Sequence, residues 1–182
     1  RLKKDFPIVI DEAMKVTSYG SLLKVCKDLL HEKIPIIDML TIIEAVADIA
    51  EFTKVPEILL EHVRAKLYRL ITQKYKDTDG VLHIITIKPE LEQQFIGKLQ
   101  EHHGVSQLMI SIAEINNLVT KTKKLLDDIE AKGFSKITMV VDPVLRKRIS
   151  EIYEKFGLQV SVLSHAELDS KANFAIEGTL EF

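Results

Sequence analysis

Apolar residues recur every three or four positions through the first 78 residues, then gather into short β-branched blocks from Val81 onward. The change from a helical to a strand-like period divides the chain into two units, 1–78 and 79–182. In the first, a short helix is expected over Asp5–Lys15, with Pro7 tolerated in its first turn. Thr17 or Ser18 can cap the next helix, whose inward face would be Leu22, Leu23, Val25, Cys26, Leu29 and Leu30. "KIPII" (33–37) stops it, since Pro35 cannot continue a helix and disfavours helical geometry at Ile34. Asp38 then caps a helix to about Glu51, with Ile42, Ile43, Val46 and Ala47 inward and Glu44, Asp48 and Glu51 outward. Val55-Pro56-Glu57 opens a fourth, running to Lys76 with Leu59, Val63, Leu67 and Leu70 on one face.

"KDTDG" (76–80) reads as the joint about which the units could reorient. "VLHIITI" (81–87) is a continuous β-branched run, as in a strand covered on both faces. Pro89 opens a helix carrying Leu91, Phe95 and Leu99 inward. "EHHGVS" (101–106) reads as a turn, and Ser106 as the cap of a long helix to Lys132. Its stripe of Leu108, Ile112, Ile115, Val119, Leu126 and Ile129, interrupted by Thr122, is spaced like a heptad seam but is expected to pack on a sheet. "KITMVV" (136–141) is a second strand. Asp142 caps a helix with Pro143 at its first position and Gly157 as its stop. "LQVSVLS" (158–164), a short turn at "HAEL" and an edge strand "FAIEGTLEF" follow. The fold class is mixed α and β: an all-α helical subdomain, then a small α/β subdomain in the order β-α-α-β-α-β-β, whose crossovers imply parallel pairing.

Composition narrows the chemistry. With 46% hydrophobic and 29% charged residues the chain is globular rather than disordered. Its net charge is −2, with 13 Lys/Arg against 12 Asp/Glu in 1–78 and 12 against 15 in 79–182, so neither half carries the basic excess of a nucleic-acid binder. The first unit has a helix-turn-helix look, but its third helix is acidic and phosphates would repel it. Cys26, the single cysteine, excludes an internal disulfide and sits where a buried structural thiol would. No apolar run reaches the roughly 18–20 residues that span a bilayer, and no signal peptide is visible. The chain begins on Arg1 rather than Met, so it is expected to be a piece of something longer. His31, His62, His83, His102, His103 and His165 form no close ligand set, so no metal is expected. Phosphate loops and nucleophile elbows are absent, and no cofactor is expected. "RKR" (146–148) fans over most of a helical turn and reads as a solvated face.

One long stretch carries a resemblance. Residues 22–71, with a Leu-Leu helix, an Ile-Pro break, Asp38-Met39, "TIIEA" and "LLEHVR", resemble the helical subdomain of the FlhA/InvA (FHIPEP) family, the export-gate proteins of type III secretion. "IKPELEQ" (87–93), "VVDPVLRKRI" (140–149) and "VLSHAEL" (162–168) continue it in order. The flagellar branch is more similar than the injectisome branch. At one position the chain departs: members often carry arginine before the Asp that matches Asp38, where this chain has Ile37. The resemblance implies the third and fourth subdomains of a cytoplasmic domain at the cytoplasmic face of the bacterial inner membrane. It implies neighbouring protomers in a nonameric ring as partners, with other export-apparatus proteins and chaperone–substrate complexes docking mainly on preceding subdomains. No nucleic acid and no membrane contact by this region are expected. Candidate ring or partner contacts are Glu44, Asp48, Glu61 and Arg64; no catalytic residue is implied. Two other readings stand beside it. One is a small α/β enzyme with its ligand at the strand C-terminal ends, near Asp142; the other is a generic adaptor. Because the apolar residues follow core periods, little is expected to remain for a large exposed patch.

Overall fold

The computed structural model describes residues 2–102 and 105–182; His103 and Gly104, within the expected turn, lie outside them, as does Arg1. The chain forms two compact units, residues 1–71 and 72–182.

The helical unit begins with α1 (Leu2–Asp5) and α2 (Pro7–Val16), separated at Phe6, with Pro7 in the first turn of α2. Ser18 accepts the Ser21 N–H and starts α3 (Tyr19–His31). Its end is a left-handed turn at Lys33 (φ 60°): Ile34 N–H donates to Leu29 and Lys33 N–H to Leu30, and Ile34 is buried. Asp38 accepts the Thr41 N–H and opens α4 (Met39–Ala50). The fourth expected helix is two, α5 (Pro56–Lys66) and α6 (Tyr68–Tyr75). At Leu67 the N–H is shared between the Val63 and Arg64 carbonyls, a tightened turn that separates the two helices; Ile71 is buried and Leu70 half-buried. On α3, Leu22, Val25 and Leu29 are buried but Leu23 and Leu30 face outward, contrary to expectation.

The units divide seven residues before the expected 78/79 boundary. Thr72 belongs with the second unit because its hydroxyl donates to the Glu167 carbonyl (3.0 Å) and accepts the Asp169 N–H (2.9 Å). Nor is "KDTDG" a free joint. The Asp77 carboxylate accepts from the N–H groups of Thr78, Ser135 and Lys136 and from the Ser135 hydroxyl, bonds that hold its pKa far below the usual carboxylate range. Lys136 in turn donates to the carbonyls of Lys74 and Lys76.

The sheet comprises β1 (Leu82–Ile87), β4 (Ile137–Val141), β5 (Ser161–Ser164) and β6 (Phe174–Leu180), in the order β5-β4-β1-β6 and parallel throughout. A bulge in β6 falls at Glu177, between the pairs Ile84–Ile176 and Ile85–Gly178. Ile85, Ile87, Met139 and Val141 form one core with residues of α7 (Pro89–Ile96), α8 (Ile112–Glu130) and α9 (Pro143–Lys155).

The cap expected at Ser106 is corrected: Ser106 lies in a hairpin, β2 (Leu99–His102) paired with β3 (Val105–Leu108), and α8 starts after Ser111. There Ser111 Oγ accepts the Glu114 N–H while the Glu114 carboxylate accepts the Ser111 N–H. A hydrogen bond from Lys98, then those from Ser111, bring the Glu114 pKa down to about 2. Thr122, expected as a polar break, is buried and bonded to the Tyr153 hydroxyl (2.8 Å), which reaches Met139 Sδ (3.1 Å). The buried stripe of α8 is therefore Leu118, Thr122, Leu126 and Ile129. "RKR" is not wholly solvated either, because Arg146 is buried beside Glu167.

A candidate assembly surface on the helical unit

The acidic face of α4 becomes one wall of a groove of about 660 Å³. Glu44, Ala47, Asp48 and Glu51, at four- and three-residue spacing, line it from α4 and its C-cap. Ile8, Val9, Glu12, Lys15 and Val16 line it from α2, and Phe52, just past the α4 C-cap, lines it too. Ile8 is 77% and Phe52 82% exposed, large apolar side chains that no described residue covers. The carboxylates outnumber the one lining cation, Lys15, which is paired with Glu12 (2.5 Å). Lys54 donates to the carbonyls of Val16 and Ala50, fastening the C-terminal ends of α2 and α4 where the helix dipoles favour a cation. The groove thus has α2 and α4 tied together at one end by Lys54, exposed apolar lining at Ile8 and Phe52, and an acidic wall on α4.

Of the candidate contacts, Glu44 and Asp48 are exposed together on this wall, and Glu61 is half-buried on α5. Arg64 is corrected: it is 1% exposed, with Nη1 2.6 Å from Glu32 Oε2, and cannot itself touch a partner. His62, on the same helix, has its pKa lowered by burial and by Lys66, with Asp48 opposing. Ile37, at the position where family members often have arginine, is 82% exposed.

A second exposed face lies on α3, where Tyr19, Leu23, Lys27 and Leu30 share one stripe with Lys24 beside it. None of the stripe residues lines the groove, which is formed by α2 and α4, whereas α3 packs on α5. Tyr19, Leu23 and Leu30, with Ile8 and Phe52, are exposed apolar side chains left outside the core.

The strand C-terminal ends, where an enzymatic ligand would sit, hold Asp142 in a structural bond: its carboxylate accepts the Val144 N–H, and its own N–H donates to Glu92 (2.7 Å). Among the described residues, no three His, Cys, Asp or Glu are placed to hold a metal, and no helix is long and apolar enough to cross a membrane.

Residues 1–173 match the FHIPEP family. The chain belongs to the FHIPEP family. It is 39% identical over 181 residues to flagellar biosynthesis protein FlhA of Helicobacter pylori, covering 99% of this chain and 25% of that protein. The chain thus spans about a quarter of the length of that relative. Its fold matches nonameric SctV-C of EPEC (TM-score 0.86, 20% identity, 98% of this chain and 53% of that one). It also matches MxiA of Shigella flexneri (TM-score 0.87, 20% identity, 98% and 58%). At that level of identity the two solved structures establish the fold alone. The mixed architecture expected of this family member, helices first and a parallel α/β unit second, is the one observed.

Proposed function

We propose that this chain is part of the cytoplasmic domain of a flagellar type III protein export apparatus, acting as a ring-forming docking platform rather than an enzyme. The observation that carries this reading is the pair of complementary faces on the helical unit. The groove has an acidic wall with Ile8 and Phe52 exposed in its lining; the α3 stripe is apolar around Lys27, with Lys24 beside it paired to Asp28 (2.7 Å). Two different faces of one subunit that fit each other generate a ring when the rotation between copies closes. SctV-C of EPEC is nonameric, which favours nine protomers here as well. Charges at the rim of such an interface fix register and exclude wrong partners more than they add affinity.

Replacing Glu44→Lys together with Asp48→Lys in the full-length protein should abolish or strongly weaken ring assembly, read by mass photometry, with unchanged circular dichroism. Lys24→Glu with Lys27→Glu should do the same. Combining all four should restore assembly, because the signs are again opposite. Rings that survive both reversals, or that the combination fails to rescue, would remove the groove and stripe from the interface.

Chaperone–substrate complexes are assigned mainly to the subdomains that precede this region in family members, and other export proteins to the assembled platform. A specific interface buries roughly 1,200–2,000 Å² around a few anchors. Calorimetry should therefore give weak or undetectable chaperone–cargo binding to this chain and clear binding once the preceding subdomains are added. Equal affinity for both proteins would move the docking face into these 182 residues.

A further inference from the structure

At the start of the central strand, the buried His83 ring lies between two carboxylates from different segments. Nδ1 is 2.8 Å from Glu177 Oε1, at the bulge of edge strand β6. Nε2 is 3.0 Å from Asp79 Oδ2, in the turn that leads into β1. Phe134 stacks on the ring at 3.9 Å and covers it. A neutral imidazole has one N–H and would turn a lone pair towards one of the carboxylates; only the imidazolium donates to both. We propose that His83 is a proton-held clasp that fastens edge strand β6 and the 77–80 turn to the central strand, closed when both ring nitrogens are protonated and released when one proton leaves.

Among the described residues, the charges that bear most on the ring are those of Asp79 and Glu177. Glu177 faces it from β6 and Asp79 from the turn; Asp77, also in the turn, is engaged by Thr78, Ser135 and Lys136. Lys136, ahead of β4, points its ammonium at the carbonyls of Lys74 and Lys76. From the segment after α8 comes the uncharged ring of Phe134. Burial disfavours the charged ring, but the hydrogen bonds and charges of Glu177 and Asp79 outweigh it and hold the pKa above its ordinary 6.5. A folded-state pKa raised in this way makes a contribution fully present below pH 6.5 and lost as pH rises through the folded value. An inward-pointing charge at a bulge also guards a sheet edge against pairing with another strand. The clasp therefore controls how firmly the guarded edge is held.

Nitrogen-15 NMR of the whole chain tests this directly. At pH 6 both His83 ring nitrogens should carry protons, and the titration midpoint should lie above 6.5. Amide exchange in β6, corrected for its intrinsic pH dependence, should accelerate above that midpoint, whereas β4 should not respond. Asp79→Asn, at a half-exposed position, and Glu177→Gln should each lower the midpoint and shrink the pH step in β6. A singly protonated ring at pH 6, a midpoint at or below 6.5, or β6 exchange that ignores the titration would each overturn the clasp.

Discussion

Glu32→Ala is expected to destabilise the helical unit by about 3–5 kcal/mol, the range for breaking a buried ion pair from one side. Glu32 ends α3 and Arg64 lies in α5, so their 2.6 Å contact joins two helices rather than two turns of one. The side chains are 9% and 1% exposed, so water reaches little of either group. Truncation removes the carboxylate and leaves the guanidinium buried, which costs more than the pair is worth against apolar replacements. The double replacement Glu32→Leu with Arg64→Met should accordingly recover most of the loss. Native-state hydrogen exchange of α3 and α5 amides reads the effect in this unit alone. A loss under about 1 kcal/mol for Glu32→Ala would mean the pair behaves like an exposed one. A domain is stable by only about 5–15 kcal/mol, so the single replacement would also impair assembly through folding. Arg64 therefore cannot serve as a probe of the ring interface, whereas the exposed Glu44 and Asp48 can.

Signals that act within a few residues were readable from the chain. Asp38 and Asp142 accept N–H groups of Thr41 and Val144 at the starts of α4 and α9, and proline occupies the first turn of α2, α5, α7 and α9. The continuous β-branched runs at 81–87 and 136–141 contribute neighbouring strands of a parallel sheet. What escaped was set by partners distant in sequence. The periodicity of Leu59, Val63 and Leu67 continues smoothly through the turn at Leu67, so nothing in it marks the break between α5 and α6. "LQEH" and "VSQL" are short and mostly polar, and become strands only by pairing with each other. The Ser111 cap, by contrast, carried its own signature in "SIAE", a serine with glutamate three residues on. Arg64 and Arg146 read as surface because they are charged. Helical spacing nonetheless places Arg64 beside Leu60 and Leu67, and Arg146 beside Leu145 and Ile149, on the inner faces. Of the assembly surface, the acidic wall was legible, because its spacing lies within one helix. The groove needed α2, and the stripe needed the outward turn of Leu23 and Leu30, which hydrophobicity alone assigns to the core.

In the α/β unit the corresponding large effect is expected at Glu167, where two explanations for its burial can be separated. Its Oε1 lies 3.9 Å from Arg146 Nε and both side chains are 1% exposed, an ion-pair distance rather than a hydrogen bond. Its Oε2 accepts the Ser164 N–H at 3.1 Å, closing the short turn His165–Glu167 that follows β5. If the backbone bond dominates, Glu167→Gln keeps an acceptor in place and should cost little more than a neutral hydrogen bond, about 0.5–1.5 kcal/mol. If the charge dominates, Gln and Ala alike leave the Arg146 guanidinium buried without its carboxylate, at about 3–5 kcal/mol. We expect the second outcome, because a desolvated cation loses more than a backbone N–H that can tilt towards another acceptor. Denaturation of the wild type, both Glu167 variants, Arg146→Met and the double variants completes a cycle whose coupling term isolates the pair. A coupling below about 0.5 kcal/mol, with Gln close to wild type, would assign the burial of Glu167 to the turn. Arg146 would then owe its place in the core to its stem packing beside Leu145 and Ile149 rather than to its pairing with Glu167.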